Sequence, residues 1–163
     1  MPANTGNIGR TCVALGAKLH LIKPLGFFLD ARHIKRAGLD YWPKLDLTLY
    51  SDFADFRQCH PEAKIYMVST KAKQTYDTPR YGEDCYLMFG KESAGIPEEI
   101  LLEYADTTVR IPMLPDIRSL NLSNAVAIVA YEAARQQGFA GLELQGELHR
   151  HSWSEKVNNS HIF

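Results

Sequence analysis

The residues best suited to chemistry in this chain gather at the predicted start of a helix. Ser119, Asn121, Ser123 and Asn124 follow an apolar run at 111–113 and precede apolar residues at helical spacing. A helix start needs one side-chain cap for its free N–H groups, so four polar side chains exceed what capping requires. Beside a strand end, this surplus indicates a pocket that holds a polar ligand.

Two further segments of similar character follow predicted strands. Residues 68–70 read Val-Ser-Thr, and residues 89–95 read Phe-Gly-Lys-Glu-Ser-Ala-Gly. Because ligands of open α/β sheets bind outside the carboxyl ends of the strands, we expect these segments to face residues 119–124 across one pocket. Small residues, apolar walls, hydroxyl groups and amide groups together suit an adenine with its ribose.

The familiar nucleotide-binding motifs do not occur in these segments. Residues 90–95 begin like a P-loop but continue Ile96-Pro97 instead of Lys followed by Ser or Thr, and the sequence contains no G-x-G-x-x-G. The pattern therefore does not favour a triphosphate or NAD as the ligand.

Alternating strands and helices must position these segments. Apolar runs bounded by glycine and proline predict strands at 19–22, 45–50, 65–69, 85–89 and 108–111. Capping residues and helical spacing predict helices that begin near Asn4 and Thr5, at 31–37, at 51–58, with Pro97 as the first residue of a short helix, and at 122–137. This order predicts an α/β fold with a mostly parallel sheet flanked by helices. The polar segment at 71–84 is predicted to be mobile.

The last predicted helix ends before Gly138 and carries one apolar stripe. The stripe consists of Leu122, Ala125, Val126, Val129, Ala130 and Ala133. Residues at this spacing lie on one helix face and bury it continuously. The helix therefore belongs to the predicted core.

Length and composition limit the class of protein. The chain has 163 residues, 45% of them hydrophobic, which fits one globular domain. No apolar run approaches membrane-spanning length and no leader-like segment opens the chain, so we expect a cytoplasmic protein. The three cysteines are widely spaced without C-x-x-C, which predicts neither a disulfide framework nor a zinc site. No metal site is predicted.

The charge is nearly balanced in total but uneven along the chain. A formal net charge of −1 argues against a uniformly basic nucleic-acid coat. Arg32, Lys35 and Arg36 nevertheless cluster on one short predicted helix. A basic binding patch and a solvated face both remain open as interpretations of this cluster.

The pattern changes near residue 141, so we predict a domain at 1–141 and a flexible polar tail at 142–163. The tail lacks a clear apolar period. His149 and His151 form a His-x-His pair that could bind a metal, but in a polar tail the solvated interpretation is favoured.

Several linked motifs resemble the SPOUT superfamily of trefoil-knotted RNA methyltransferases. These motifs are Asn4-Thr5-Gly6-Asn7-Ile8-x-Arg10, Gly38-Leu39-Asp40-Tyr41, Met88-Phe89-Gly90-x-Glu92-x-x-Gly95, Ile111-Pro112-Met113, Arg118-Ser119-Leu120-Asn121-Leu122-Ser123-Asn124 and Tyr131-Glu132. The resemblance covers residues 2 to about 141 in order. It is closest to single-domain members that methylate the ribose 2′-hydroxyl of the wobble nucleotide, C34 or U34, in tRNA.

The resemblance implies a homodimer that binds S-adenosylmethionine in knotted C-terminal loops. Carried over by position, six residues are expected to contact this cofactor: Val68, Gly90, Ile111, Met113, Ser119 and Leu120. The adenine is expected to lie against apolar walls and to bond to backbone groups. Glu92 is expected either to face the sulfonium or the dimer seam, or to cap the following loop.

The resemblance also implies which residues meet the RNA. Arg10 matches an arginine assigned to the methyl-transfer step, and since a guanidinium stays protonated it is expected to orient the ribose and stabilise the developing oxyanion. Arg32, Lys35 and Arg36 are expected to hold anticodon-stem phosphates. Tyr131 is expected near the RNA, with a dimer-interface role as its rival. Asn4 is expected to shape the turn before the first helix.

The chain departs from the family pattern at its start. Family members carry a hydrophobic strand and an acidic-proline turn before the first motif, whereas Met1 stands there in this sequence. The missing strand would be central in the sheet, so we expect a late start or a truncation. The alternatives to wobble methylation are methylation of another tRNA or rRNA ribose, and a catalytically inactive RNA-binding module.

Overall fold

The computed structural model describes residues 3–25 and 40–154. Its four α-helices are α1 (Ala3–Leu15), α2 (Phe53–Cys59), α3 (Glu98–Glu103) and α4 (Leu122–Gln136), with short 3-10 turns at Trp42–Lys44 and Ala105–Thr107. In these two ranges, every helix falls short of the length and apolar character that a membrane crossing requires. The predicted helix at 31–37, with Arg32, Lys35 and Arg36, lies outside the described residues.

In the described part of the chain, six strands form two sheets in which every strand pair is parallel. The strands are β1 (Leu19–Ile22), β2 (Leu47–Tyr50), β3 (Lys64–Val68), β4 (Gln74–Thr75), β5 (Cys85–Phe89) and β6 (Thr108–Arg110). β1 pairs with β2, and the other four lie in the order β4-β6-β3-β5. The predicted α/β class with parallel strands flanked by helices is therefore confirmed, but the strands divide between two sheets where one was expected.

Side chains connect the two sheets. β1 and β5 are end strands of their sheets, and the rings of His20 in β1 and Tyr86 in β5 lie 5.5 Å apart between centroids. The Tyr50 hydroxyl lies 2.9 Å from His20 Nδ1 and 2.9 Å from His60 Nε2. The Tyr86 hydroxyl lies 3.1 Å from His60 Nδ1. A hydrogen-bonded aromatic cluster of these four residues thus joins β1 and β2 to β5.

The first apolar core lies beside this aromatic cluster. Its buried members are Tyr50, Phe56, Ile65, Met67 and Ile96. Helix α2 contributes Phe56, which is 4% exposed, and begins where the Asp52 carboxylate accepts from the Asp55 N–H. Phe53, on the same helix, packs against the same core.

The second core lies between the larger sheet and α4. Tyr66 and Tyr81 pack there with Val129 and Ala133. The stripe predicted for α4 is confirmed at its centre, because Val126, Val129 and Ala133 are buried. α4 also packs against α1.

The segment predicted to be mobile at 71–84 is instead built into the fold. It contains β4 and the buried Ala72 and Tyr81. Its far end is bonded to α4, since Gln136 Oε1 accepts from the Tyr81 N–H at 3.0 Å and Gln136 Nε2 donates to the Pro79 carbonyl at 3.1 Å. Polar composition misled the prediction, because most of the polar side chains face outward from a packed backbone.

The capping role predicted for Asn4 and Thr5 is wrong. Helix α1 begins at Ala3, so both residues lie within its first turn, where Thr5 is buried. Gly16, with φ +66°, follows the helix in the left-handed conformation that glycine tolerates. The helix therefore ends just before this glycine.

Candidate binding cavity at the strand ends

One cavity of about 490 Å³ opens at the carboxyl ends of β3, β5 and β6. The three segments that the sequence brought forward form its walls. All six residues expected to contact a cofactor line it: Val68, Gly90, Ile111, Met113, Ser119 and Leu120. The structure thus brings together residues up to about fifty positions apart, because parallel strands end at the same edge of the sheet.

The loop after β5 is closed tightly on itself. The Gly95 N–H donates to the Lys91 carbonyl at 2.7 Å, and Gly95 has φ +72°. A Cβ on Gly90 would lie 2.1 Å from the Gly95 carbonyl carbon and 2.4 Å from the Ile96 nitrogen. Glycine is therefore required at position 90 by the approach of the chain to itself, in addition to any ligand.

The entry to α4 has one cap. The Asn121 side-chain oxygen accepts from the Ser123 N–H at 3.0 Å, from the Ser123 hydroxyl at 2.7 Å and from the Asn124 N–H at 3.4 Å. Asn121 also lines the cavity, and so does Ser119, which takes no part in this cap. The polar surplus predicted here thus serves two purposes, capping the helix and lining the cavity.

Asn4 connects α1 to two walls of the cavity. Its side-chain oxygen accepts from Asn121 Nδ2 at 3.0 Å, and its Nδ2 donates to Glu92 Oε1 at 2.6 Å. Glu92 and Asn121 both line the cavity. The turn-shaping role expected for Asn4 is wrong, and no local pattern could have indicated this bridge because the partners lie 88 and 117 residues away.

Charged residues stand at the rim of the cavity. Lys71 lines it and forms an ion pair with Glu98 at the start of α3. The Lys71 ammonium group, through its hydrogen bond and its charge, lowers the pKa of the Glu98 carboxyl. Lys71 was not predicted at this site, because polar composition predicts a mobile segment at 71–84.

Arg10 does not line the cavity. It lies six residues beyond Asn4 in α1, roughly 9 Å further along the helix axis, with its side chain 62% exposed. Its Nη2 donates to Asp40 Oδ1 at 3.3 Å, and its Cζ lies 4.6 Å from the centroid of the Tyr41 ring. The structure therefore separates the predicted catalytic residue from the predicted cofactor residues within one chain.

Tyr131 lies on an exposed part of α4 and is 45% exposed. It borders a second cavity of about 450 Å³ between the ends of α1 and α4, together with Ala14, Phe139 and Leu142. The first tail residues thus lie against these helices, while Trp153 Nε1 donates to the Gly146 carbonyl at 3.0 Å further along.

The first cavity is suited to binding and orienting a partly apolar ligand. Val68, Ile111, Met113 and Leu120 supply apolar surface, and Ser119 adds a hydroxyl group. The Asn4 bridge and the closed loop at Gly90 hold these walls in place. A site of this kind can hold a bound molecule in one orientation for a reaction.

The sequence is similar to that of known RNA methyltransferases. Residues 1–131 match the SpoU rRNA Methylase family. A tRNA (cytidine(34)-2′-O)-methyltransferase from Saccharophagus degradans is 46% identical over 143 residues, which are 86% of this chain and 92% of that protein.

Solved structures agree in fold. A protein whose structure is described as giving insights into the 2-OH methylation of C/U34 on tRNA aligns with a TM-score of 0.79 and 46% identity, over 85% of this chain and 91% of that one. An S-adenosylmethionine-bound rRNA methyltransferase from Sinorhizobium meliloti aligns with a TM-score of 0.69 and 28% identity, over 83% of this chain and 52% of that one.

Proposed function

The chain belongs to the SpoU rRNA methylase family, and on this premise we propose that it methylates the ribose 2′-hydroxyl of the wobble nucleotide, C34 or U34, in tRNA. The observation that carries this proposal is the cavity at the strand ends, lined by all six residues expected to contact the cofactor. Two relatives of 46% identity, whose names specify nucleotide 34 of tRNA, support this substrate.

S-adenosylmethionine is the proposed cofactor, since the family relative from Sinorhizobium meliloti binds it. The residues present fit this molecule: Val68, Ile111 and Leu120 offer apolar surface to an adenine, while Ser119 and the backbone around Gly90 offer polar groups. When bound, the cofactor supplies a methyl group activated by its sulfonium. The chain then has to align the ribose oxygen with that methyl group and assist the loss of its proton.

Arg10 is the residue proposed to orient the ribose. Its guanidinium stays protonated, so it stabilises the developing oxyanion and holds a neighbouring phosphate, and the proton leaves through phosphate or water. Because Arg10 lies outside the cavity of its own chain, we propose that a second protomer brings Arg10 to each cavity.

A homodimer is therefore part of the proposal. Apolar side chains are exposed on α4 and on the loop that precedes it, including Ile128 at 36%, Ile117 at 50% and Leu114 at 77%. Exposed large apolar residues are candidates for an interaction surface, and we propose that these residues contact a second protomer. Tyr131 lies on the same helix, either within this interface or next to bound RNA.

The finer arrangement of the fold is also proposed. We infer a SPOUT-type trefoil knot in the C-terminal part of a domain at 1–141, followed by a tail at 142–163. The inference rests on the resemblance of the sequence motifs to that superfamily and on membership of the SpoU rRNA methylase family. Arg32, Lys35 and Arg36 remain proposed contacts to the anticodon stem, and a tRNA substrate implies a cytoplasmic location.

The decisive experiment measures transfer of labelled methyl from S-adenosylmethionine to unfractionated tRNA, followed by nucleotide mapping. We expect label only at position 34, and none on a tRNA that carries a 2′-deoxyribose there. Label at another ribose would reassign the substrate within the same chemistry. Cofactor binding without any transfer would support an inactive RNA-binding module instead.

A further inference from the structure

We propose that Asp40 and Tyr41 are positioning residues that fix the orientation of the Arg10 guanidinium for methyl transfer. This inference rests on the proposed function of Arg10. It assigns a role to Asp40 and Tyr41, which line neither cavity and which contact Arg10 and Gly6 of helix α1.

Two contacts from adjacent residues constrain the guanidinium in different directions. The Asp40 carboxylate accepts from Arg10 Nη2 at 3.3 Å, which limits rotation of the group within its own plane. The Tyr41 ring lies beneath Arg10, with 4.6 Å between the ring centroid and Cζ, which limits its tilt. A long side chain that is 62% exposed thereby loses much of its rotamer freedom before RNA arrives.

Tyr41 is itself fixed to the helix that carries Arg10. The side chain is buried, and its hydroxyl donates to the carbonyl oxygen of Gly6. A Cβ on Gly9 would lie 3.5 Å from the Tyr41 ring and 3.3 Å from the Trp42 ring, so the loop lies directly on α1 at this glycine. The ring beneath Arg10 is consequently part of a packed layer.

The contacts with Asp40 and Tyr41 leave most N–H groups of the Arg10 guanidinium available for RNA. Arg10 has five N–H donors and gives one of them to Asp40, so the others remain available to phosphate and ribose oxygens. The carboxylate also reduces the positive charge that an approaching RNA meets. Asp40 thus orients the guanidinium but weakens its attraction for RNA. A residue that only bound RNA would not have these two opposite effects.

The first test is Asp40→Asn. We expect kcat with tRNA to fall about fivefold, the scale of one exposed ion pair. We expect tRNA to bind more tightly, with a salt dependence steeper by up to about one released counterion. Cofactor affinity should not change. An unaltered kcat, or weaker tRNA binding, would contradict the proposal.

The matched control is Asp46→Asn. Asp46 forms an ion pair with Lys18 at 3.6 Å, and the two side chains are 59% and 69% exposed, so the substitution removes the same charge from a similar environment. It does not touch Arg10. We expect kcat to stay at the wild-type value. An equal fall in kcat for both variants would attribute the effect to general charge and overturn the inference.

The second test compares Tyr41→Phe with Tyr41→Leu. Phenylalanine keeps the ring beneath Arg10 and loses only the bond to Gly6, whereas leucine removes the ring. We expect kcat to fall about tenfold for leucine and less than threefold for phenylalanine, the scale of a lost cation–π contact. Equal losses in two variants of equal thermal stability would contradict the role of the ring.

A double-substitution cycle of Asp40→Asn with Arg10→Lys tests the role of Asp40 separately from the proposed role of Arg10 in methyl transfer. If Asp40 acts through the guanidinium, Asp40→Asn lowers kcat in the parent protein and has little effect in the Arg10→Lys background. Equal effects in both backgrounds would overturn the inference while Arg10 keeps its role. Full activity of Arg10→Ala would overturn the proposed function of Arg10 itself.

Discussion

The cavity is held by hydrogen bonds between segments far apart in the sequence, whereas Arg10 is held by one exposed ion pair and one ring. Asn4 joins the loop at Glu92 to the cap at Asn121, and the loop at Gly90 closes on its own backbone. Arg10 faces solvent beside residues from a single loop. The proposed cofactor side is thus held together by contacts within one chain, whereas the proposed RNA side is exposed to solvent.

The largest effect on cofactor affinity is expected at Gly90, where the backbone of the loop packs most closely on itself. In Gly90→Ala, the added methyl group would meet the Gly95 backbone at 2.1 Å, so the loop has to shift. Forcing a methyl group into a packed site costs about 1–3 kcal/mol, and we expect cofactor affinity measured by calorimetry to fall up to roughly 100-fold. Gly82→Ala is the control, because a Cβ there has nothing within 4 Å. Similar losses of cofactor affinity in both variants would show that the close backbone approach at Gly90 is not the cause.

A smaller effect is expected where α1 meets the cavity. Asn4→Ala leaves Glu92 and Asn121 without the side chain that joins them. A typical hydrogen bond contributes about 1 kcal/mol, so we expect cofactor affinity to fall about fivefold to tenfold. Asn7→Ala on the same helix serves as the control, since the carbonyl of Asn7 that accepts from Thr11 is kept. A wild-type cofactor affinity in Asn4→Ala would show that cofactor binding does not depend on the hydrogen bonds of Asn4.

The far end of α4 gives a prediction about stability that depends on pH. Hydrogen bonds from Arg135 and Gln136 lower the pKa of Glu132 to about 2 from an unfolded value of 4.5. Because the folded pKa is depressed, the stabilisation is present above pH 4.5 and is lost as the pH falls towards 2. We expect Glu132→Gln to lower the free energy of unfolding by about 1 kcal/mol at pH 7, after discounting for solvent screening.

Urea unfolding of both proteins from pH 7 to pH 2.5 measures this difference. The two curves should converge in the acid range. A difference that persists unchanged at pH 2.5 would mean that the Glu132 carboxylate charge is not its cause. Cofactor affinity at pH 7 should be equal in the two proteins, because the substitution lies at the opposite end of α4 from the cavity.

The smallest effect is expected at the rim. Lys71 and Glu98 are 56% and 70% exposed, and exposed ion pairs contribute little. We therefore expect Glu98→Gln to change cofactor affinity by less than about twofold. A loss comparable with that of Asn4→Ala would show that the rim, and not only the walls, determines binding.

Local patterns were sufficient to predict the cavity walls but not their connections. β1 and β5 have the predicted bounds, because continuous apolar runs ended by proline or glycine leave few alternatives. Helix α4 ends one residue from its prediction at Gln137. Parallel strands then bring their ends together, which explains why all six expected residues line one cavity.

What could not be predicted depends on contacts between distant residues. The partners of Asn4 lie beyond any periodic pattern, and β4 has only two residues, too few to show a period. The contacts of Arg10 with Asp40 and Tyr41 are likewise long-range in sequence. The division into two sheets also escaped prediction, because periodicity indicates strands but not their neighbours.

The aromatic cluster between the sheets has a consequence for its protons. Tyr50 has one hydroxyl hydrogen and lies between nitrogens of His20 and His60. If Tyr50 donates to His60, then His20 donates to Tyr50 and His60 donates to Tyr86; if it donates to His20, all three bonds reverse. The directions of the hydrogen bonds are thus coupled across both sheets.

One extra proton fits the same chain of bonds. A protonated His60 donates to both tyrosines while Tyr50 donates to His20, and every bond is kept. A second proton on His20 would leave the Tyr50 hydroxyl hydrogen without an acceptor among these imidazoles. All three hydrogen bonds of the contact between the two sheets are therefore compatible with one charged imidazole, but not with two.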